Sequence, residues 1–188
     1  MSRTKSVMYS LQESPFGNFA QLCIKSDDGK NSLSVLPAFG ACLLDLQLGG
    51  HRVLDGYDTV NEMISYRWMK SGLLFPFANR LKNGTYIWNN DTYYFPINDA
   101  ITGNALHGFG MDIPFEVIQT HIYEREAGII CRCEYNGEWA AYPFPFTLEV
   151  HYYLQAETVF HMKMRFYNDG ATAIPVSLGW HPFFRLGN

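Results

Sequence analysis

Three short stretches set hydrogen-bonding side chains into apolar surroundings. Leu74-Phe75-Pro76-Phe77-Ala78-Asn79-Arg80-Leu81 carries an asparagine and an arginine at the end of an apolar run. Asn104-Ala105-Leu106-His107-Gly108 and Gly179-Trp180-His181-Pro182-Phe183-Phe184 each place one imidazole beside glycine or proline and bulky apolar groups. Arginine is rarely fully buried without a partner, so Arg80 taken alone is a strand-end cation snorkelling to water. His181 taken alone is a core-edge histidine bonded to a backbone carbonyl, and His107 a loop histidine in solvent. Taken together, one guanidinium and two imidazoles in apolar contexts make a hydrogen-bonding pocket for a polar, uncharged ligand. An imidazole exchanges protons near neutral pH, and Gly108 lets a ligand approach the backbone closely.

A rival chemistry is a metal centre, with His107, His181 and a carboxylate holding zinc or iron in a small β-barrel. The sequence offers no His-x-His, His-x-x-Glu-His or Cys-x-x-Cys, the spacings that such centres favour. It has no Gly-x-Ser-x-Gly or other nucleophile motif.

The rest of the chain supplies the frame. With 188 residues, 47% hydrophobic and 17% charged, it can bury a real core and is not disordered. Aromatics at 16% suit a β-rich protein. The net charge of -4 is spread along the chain without a basic patch, which excludes a nucleic-acid partner. No apolar run approaches the roughly 18 residues of a membrane span. Met1-Ser2-Arg3-Thr4-Lys5-Ser6 is not followed by the apolar region of a secretory signal, so the expectation is a cytoplasmic protein. Cys23, Cys42, Cys131 and Cys133 read as reduced core residues. Cys131 and Cys133 share one face of a strand and lack the spacing of a zinc or redox pair.

Alternation predicts strands over most of the length. Residues 17–48 read as short strands, one at 33–36 and one at 41–48, the latter with Leu44, Leu46 and Leu48 on one face and Asp45 and Gln47 on the other. Asp58 is a candidate cap for a short helix through Glu62 and Met63. Strands at 85–88 and 92–95 flank Asn89-Asn90-Asp91, a hairpin turn. Residues 97–112 form a loop carrying His107. From residue 115 a meander follows, turning at Glu126-Ala127-Gly128, Gln155-Ala156-Glu157 and Asn168-Asp169-Gly170, with a loop at 136–145. Its inward sets are Ile129, Cys131, Cys133, Tyr135, then Phe146, Leu148, Val150, Tyr152, Leu154, then Phe160, Met162, Met164, Phe166. His51, His121, His151 and His161 read as surface residues. Regular strands with almost no helix predict an all-β antiparallel sandwich or barrel, in one domain over residues 1–188.

The three motifs, in this order, resemble the aldose 1-epimerase (galactose mutarotase-like) family over nearly the entire chain. Gly72-Leu73-Leu74-Phe75-Pro76-Phe77-Ala78-Asn79-Arg80-Leu81 with Gly84-Thr85-Tyr86 is similar to that family's Asn-Arg strand and hairpin. Asn104-Ala105-Leu106-His107-Gly108 resembles its Leu-His-Gly loop, Tyr142-Pro143-Phe144-Pro145-Phe146 its Tyr-Pro segment, and Trp180-His181-Pro182-Phe183-Phe184 its His-Pro-Tyr-Phe turn. Each is short; four in order on a β-rich chain are fairly specific. One departure is Phe109, where many members have a second glycine.

The resemblance implies a large antiparallel β-sandwich, the galactose mutarotase-like supersandwich, here in its N-terminal part and truncated at the C-terminus. It implies interconversion of the α and β anomers of a free hexose such as galactose or glucose. His181 would be the general acid, His107 would hydrogen-bond the sugar near the ring oxygen and assist, and Asn79 and Arg80 would bind hydroxyls. No metal or organic cofactor is implied. The family's general base, a Glu, and a sugar-binding Asp lie past the His-Pro turn, beyond Asn188. Asp112 and Glu116 are the carboxylates nearest a motif and read as ordinary surface groups. Trp68, Trp139 and Trp180 could offer flat faces to a sugar, although core packing suits each as well. Arg67, Lys70, Lys82 and Arg185 could meet a phosphate or be solvated surface. The reading from another class is a non-catalytic carbohydrate-binding protein of the same fold.

Overall fold

A computed structural model describes residues 7–66, 69–156 and 158–186. The first sheet is an antiparallel meander of β1 (Tyr9–Phe16), β2 (Phe19–Ser26), β3 (Ser32–Leu36), β4 (Cys42–Leu48) and β5 (His51–Arg52), in that order. Strand β1 lies ahead of the region read as strands, because Gln12, Glu13, Ser14 and Pro15 blur its alternation. The single-face alternation expected in β4 does not hold. Ser34 pairs with Asp45 but Val35 with Leu43, so Leu44 is the extra residue of a bulge. Leu43 and Leu46 therefore enter the main core, while Leu44 joins Cys42, Leu36, Tyr57, Met63 and Met111 in a second cluster.

The helix α1 (Val60–Tyr66) is capped by Thr59 rather than Asp58. The Thr59 hydroxyl accepts the Glu62 N–H at 3.1 Å, and the Glu62 carboxylate reaches back to the Asp58 N–H at 2.9 Å. The first bond satisfies a donor that the first turn leaves free, and the second ties the Glu62 side chain back to the residue before the cap. No helix among the described residues is long and apolar enough to cross a membrane.

The second large sheet runs β11 (Glu116–Tyr123), β12 (Glu126–Tyr135), β13 (Phe146–Gln155) and β14 (Val159–Asn168), again antiparallel and sequential. Period-2 alternation gives each strand one apolar face. Ile129, Cys131, Cys133, Phe146, Leu148, Val150, Tyr152 and Leu154 pack with Leu33, Val35, Leu43 and Leu46 of the first sheet in one core. The Tyr152 hydroxyl donates to the Ala41 carbonyl at 2.8 Å, which ties the sheets together and satisfies a buried O–H. All four cysteines are free; Cys42, Cys131 and Cys133 are buried and Cys23 half-buried.

Two expectations change here. The β11–β12 turn falls at Glu124-Arg125, with Arg125 left-handed at φ 72°, and Gly128 sits inside β12. There a Cβ would collide with the rings of His121 and Tyr153, which lean over Gly128 from the neighbouring strands. His151, on the outer face of β13, is buried at 4% exposure. Its Nε2 lies 3.2 Å from the Glu149 carboxylate and its Nδ1 2.7 Å from the Tyr153 hydroxyl. Arg132 closes on the same carboxylate at 2.7 Å. A carboxylate can only accept, so Nε2 donates and Nδ1 accepts from Tyr153. The Gln155-Ala156-Glu157 turn includes Glu157, outside the described residues.

Short pairings carry the motifs. β6 (Gly72–Leu74) pairs with β15 (Gly179–His181), and β7 (Arg80–Lys82) with β10 (Asn104–Leu106). β8 (Thr85–Trp88) and β9 (Asp91–Tyr94) form the hairpin. Asn89 and Asn90, at φ 51° and 69°, turn it, the left-handed pair of a type I′ turn. Between these pairs, Phe75 bridges Gly108 in parallel, and its carbonyl accepts the Phe109 N–H at 2.9 Å.

Gly108 is at φ +69°, and a Cβ there would collide with the Phe75 carbonyl. Gly103 has the same φ of +69° but nothing near its would-be Cβ. Gly103→Ala is expected to cost only the left-handed backbone, about 1–2 kcal/mol. Gly108→Ala should lose distinctly more and lower the thermal midpoint further. Equal midpoints for the two variants would show that the close approach at Gly108 does not matter to stability.

Candidate active site

His181 ends β15 opposite Gly72, and its carbonyl accepts the Ser71 N–H at 2.8 Å. Pro182 then carries the chain out toward Phe183, whose ring lies 5.4 Å from the imidazole. His107 follows β10 in a left-handed conformation at φ 66°, uncommon for a residue other than glycine. Its N–H donates to the Asn79 carbonyl at 2.9 Å, and its ring Nδ1 lies 3.3 Å from the Ala78 carbonyl. That carbonyl can only accept, so the proton sits on Nδ1 and Nε2 is left as an acceptor.

The two imidazoles meet edge to face, ring centres 5.1 Å apart and planes at 62°. Asn79 and Arg80 lie at the rim, both exposed. The Arg80 Nη1 donates to Asn79 Oδ1 at 3.3 Å, and its Nε lies 3.6 Å from Asp99 Oδ2. Four residues drawn from three separate stretches are thus gathered at one place, through the β6–β15 and β7–β10 pairings.

The electrostatics suit a neutral His107 imidazole. Burial holds the His107 imidazole below the ordinary histidine value, and the neighbouring His181 and Arg80 lower it further, against the Ala78 hydrogen bond. Three potential cations in one small volume disfavour adding a charge. The His181 Nδ1 is buried and has no partner among the described residues, and the same holds for Ser71 Oγ and Trp180 Nε1 on the same strand pair and its approach.

Other candidates fall elsewhere. Trp139 packs against Phe95 and Phe109, ring centres 5.0 and 5.4 Å away. Trp180 packs against Phe160 and Phe184 at 6.3 and 6.2 Å. Both are half-buried and pack against the main core, while Trp68 and Arg67 lie outside the described residues. Lys70 is committed to Glu62 at 2.8 Å and Asp55 at 3.2 Å, and Arg185 to Asp55 at 3.6 Å. Asp112 and Glu116 are exposed. Among the described residues no group of three or more His, Cys, Asp or Glu could hold a metal ion. Sequence reasoning passed over Asp99, whose signal was the Asp-x-x-Thr spacing to Thr102 that favours a local turn.

Relatives share this frame. A galactose mutarotase-like protein from Clostridium acetobutylicum superposes with a TM-score of 0.80 at 24% identity, over 94% of this chain and 54% of that one. Galactose 1-epimerase from Lactobacillus acidophilus gives 0.75 at 20% identity, over 95% and 53%. The uncharacterized protein YihR of Escherichia coli is 29% identical over 111 residues, 59% of this chain and 34% of its own length. The chain thus spans about half the length of the solved structures it matches and about a third of that relative. The family model described as aldose 1-epimerase matches residues 23–188. With that match over most of its length, this chain belongs to the aldose 1-epimerase family.

Proposed function

We propose that this chain contributes the acid side of a mutarotase site that interconverts the anomers of a free hexose such as galactose or glucose. The observation that carries the reading is the pair of imidazoles edge to face beside an exposed guanidinium. Anomer exchange opens the pyranose ring. A base takes the proton of the anomeric hydroxyl while an acid protonates the ring oxygen, and closure on the other face reverses both transfers. His181 is the acid in this reading, at the end of a strand that fixes its backbone. His107, neutral and with Nε2 as acceptor, takes a hydrogen bond from the sugar beside the ring oxygen. Asn79 and Arg80 bind hydroxyls at the rim, where a planar fork of donors fixes orientation.

The family's Glu base would complete the pair. The carboxylate at this site, Asp99, is engaged by Thr102 and Arg80, which favours a second reading in which the chain binds sugar without chemistry. Exchange of α- and β-galactose followed by NMR separates the two. In a chain that speeds exchange, His181→Ala should lower the rate by about 10²–10⁴ with an unchanged circular-dichroism spectrum. Wild-type exchange in that variant would remove His181 from the acid role. Sugar-dependent shifts in protein signals without any exchange would support the binding reading.

The state of His107 has its own test. Its imidazole should titrate below the ordinary value of 6.5, and His181→Ala should move that midpoint upward. The unfolded chain takes this proton at the higher pH, so it binds more protons as pH falls below 6.5. The His107 contribution to stability is therefore present above that value and declines as pH drops through the folded midpoint. A midpoint at or above the ordinary value in the folded chain would contradict the half-buried, neutral assignment.

A further inference from the structure

Arg80 is 51% exposed at its side chain, and a long exposed cation spreads over many rotamers unless something holds it. Asp99 is its opposite, with a side chain 15% exposed and fixed from several sides. The Thr102 hydroxyl donates to Oδ2 at 2.5 Å and the Thr102 N–H to Oδ1 at 3.4 Å. The Asp99 backbone bridges Asn104, its N–H donating to the Asn104 carbonyl at 3.1 Å. The preceding residue, Asn98, clasps Leu106. Its amide donates to the Leu106 carbonyl at 2.9 Å and its Oδ1 accepts the Leu106 N–H at 2.6 Å.

Leu106 precedes His107 and pairs with Arg80 across β7–β10. One dipeptide, Asn98-Asp99, therefore anchors the backbone entering the histidine and also faces the arginine. With Nε toward Asp99 at 3.6 Å and Nη1 donating to Asn79 at 3.3 Å, the remaining guanidinium N–H donors are left for a ligand. We propose that Asp99 is a positioning residue for sugar recognition, holding Arg80 by its Nε edge so that its free donors meet the ligand at a fixed place relative to His107. The proposal rests on the sugar-binding reading of Arg80; Asp99 itself acts through Arg80 and touches no reacting atom.

The test uses Asp99→Asn, which keeps the size and an acceptor for Thr102 while removing the charge. Two readouts are taken on the 188-residue chain: the Arg80 Nε–H signal in 15N NMR without sugar, and a galactose titration. In the wild type the Nε–H signal should be sharp and dispersed; a mobile one overturns the proposal without any variant. In Asp99→Asn it should broaden and shift, and galactose should bind about three- to tenfold more weakly, the scale of losing one charge-assisted contact. A wild type that binds galactose and a variant that binds it equally overturn the positioning role alone. A wild type with no galactose response overturns the sugar reading and the recognition role with it. The Nε–H signal then still reports whether Asp99 holds Arg80.

Discussion

The close passage of two backbones at Phe75 and Gly108 is the constraint on which the site depends. The Phe75 carbonyl accepts the Phe109 N–H, and only a residue without a side chain can occupy position 108 against it. That contact draws the segment bearing Asn79 and Arg80 beside the loop bearing His107. Phe75 is itself buried, with Phe109, Phe115 and Phe146 packed edge to face around it at 5.9, 6.3 and 5.7 Å. Aromatic packing of this kind adds to area burial. The candidate site is thus backed by a buried aromatic cluster around Phe75.

From that anchor outward, the structure passes from core to clasp to rim. The two sheets supply a platform whose inner faces share one core. Short pairings, rather than long strands, then hold the motifs: three residues in β15 against three in β6, and three in β10 against three in β7. Short ladders alone hold loops weakly, and side chains complete them. Asn98 imitates a strand partner for Leu106. Asn104 accepts the Asn83 N–H at 3.3 Å, and Ala78 and Asn79 carbonyls grip His107. Loops carry the function while a rigid scaffold fixes their ends.

Polar groups in this protein are sorted by whether they are already satisfied. On the outer face of the second sheet, the Glu149 carboxylate is met by Arg132, His151 and Tyr167. At the candidate site, and among the described residues, the His181 Nδ1 is buried and unpartnered, His107 keeps one ring nitrogen open, and Arg80 keeps donors at the rim. Buried polar groups are ordinarily paired, so the unpartnered His181 Nδ1 and Trp180 Nε1 mark this strand end as a candidate place for a ligand, while the buried Tyr9 hydroxyl also lacks a partner among the described residues, on the first sheet.

Alternation in the sequence carried the strands of the second sheet well, because inward apolar residues follow from local chemistry, although its first turn falls at Glu124-Arg125 and not at Glu126-Ala127-Gly128. The Asn-Arg, His-Gly and His-Pro stretches were legible too, since polar groups amid apolar ones are conspicuous. Other features were not legible. The bulge at Leu44 splits a run that looked single-faced, because one inserted residue reverses every side chain that follows. His151 looked exposed because alternation says which face a residue is on, not what covers it; Glu149 and Tyr153 flank it on the same face of its own strand and take both ring nitrogens. Asp99 was passed over inside the 97–112 loop, since its partner Arg80 is distant in sequence. Sequence by itself determined the residue types that can do chemistry and the strands that carry them. Only the tertiary structure decided that His107 and His181 meet at 5.1 Å, because backbone pairing across long sequence separations is set by the core, not by local pattern.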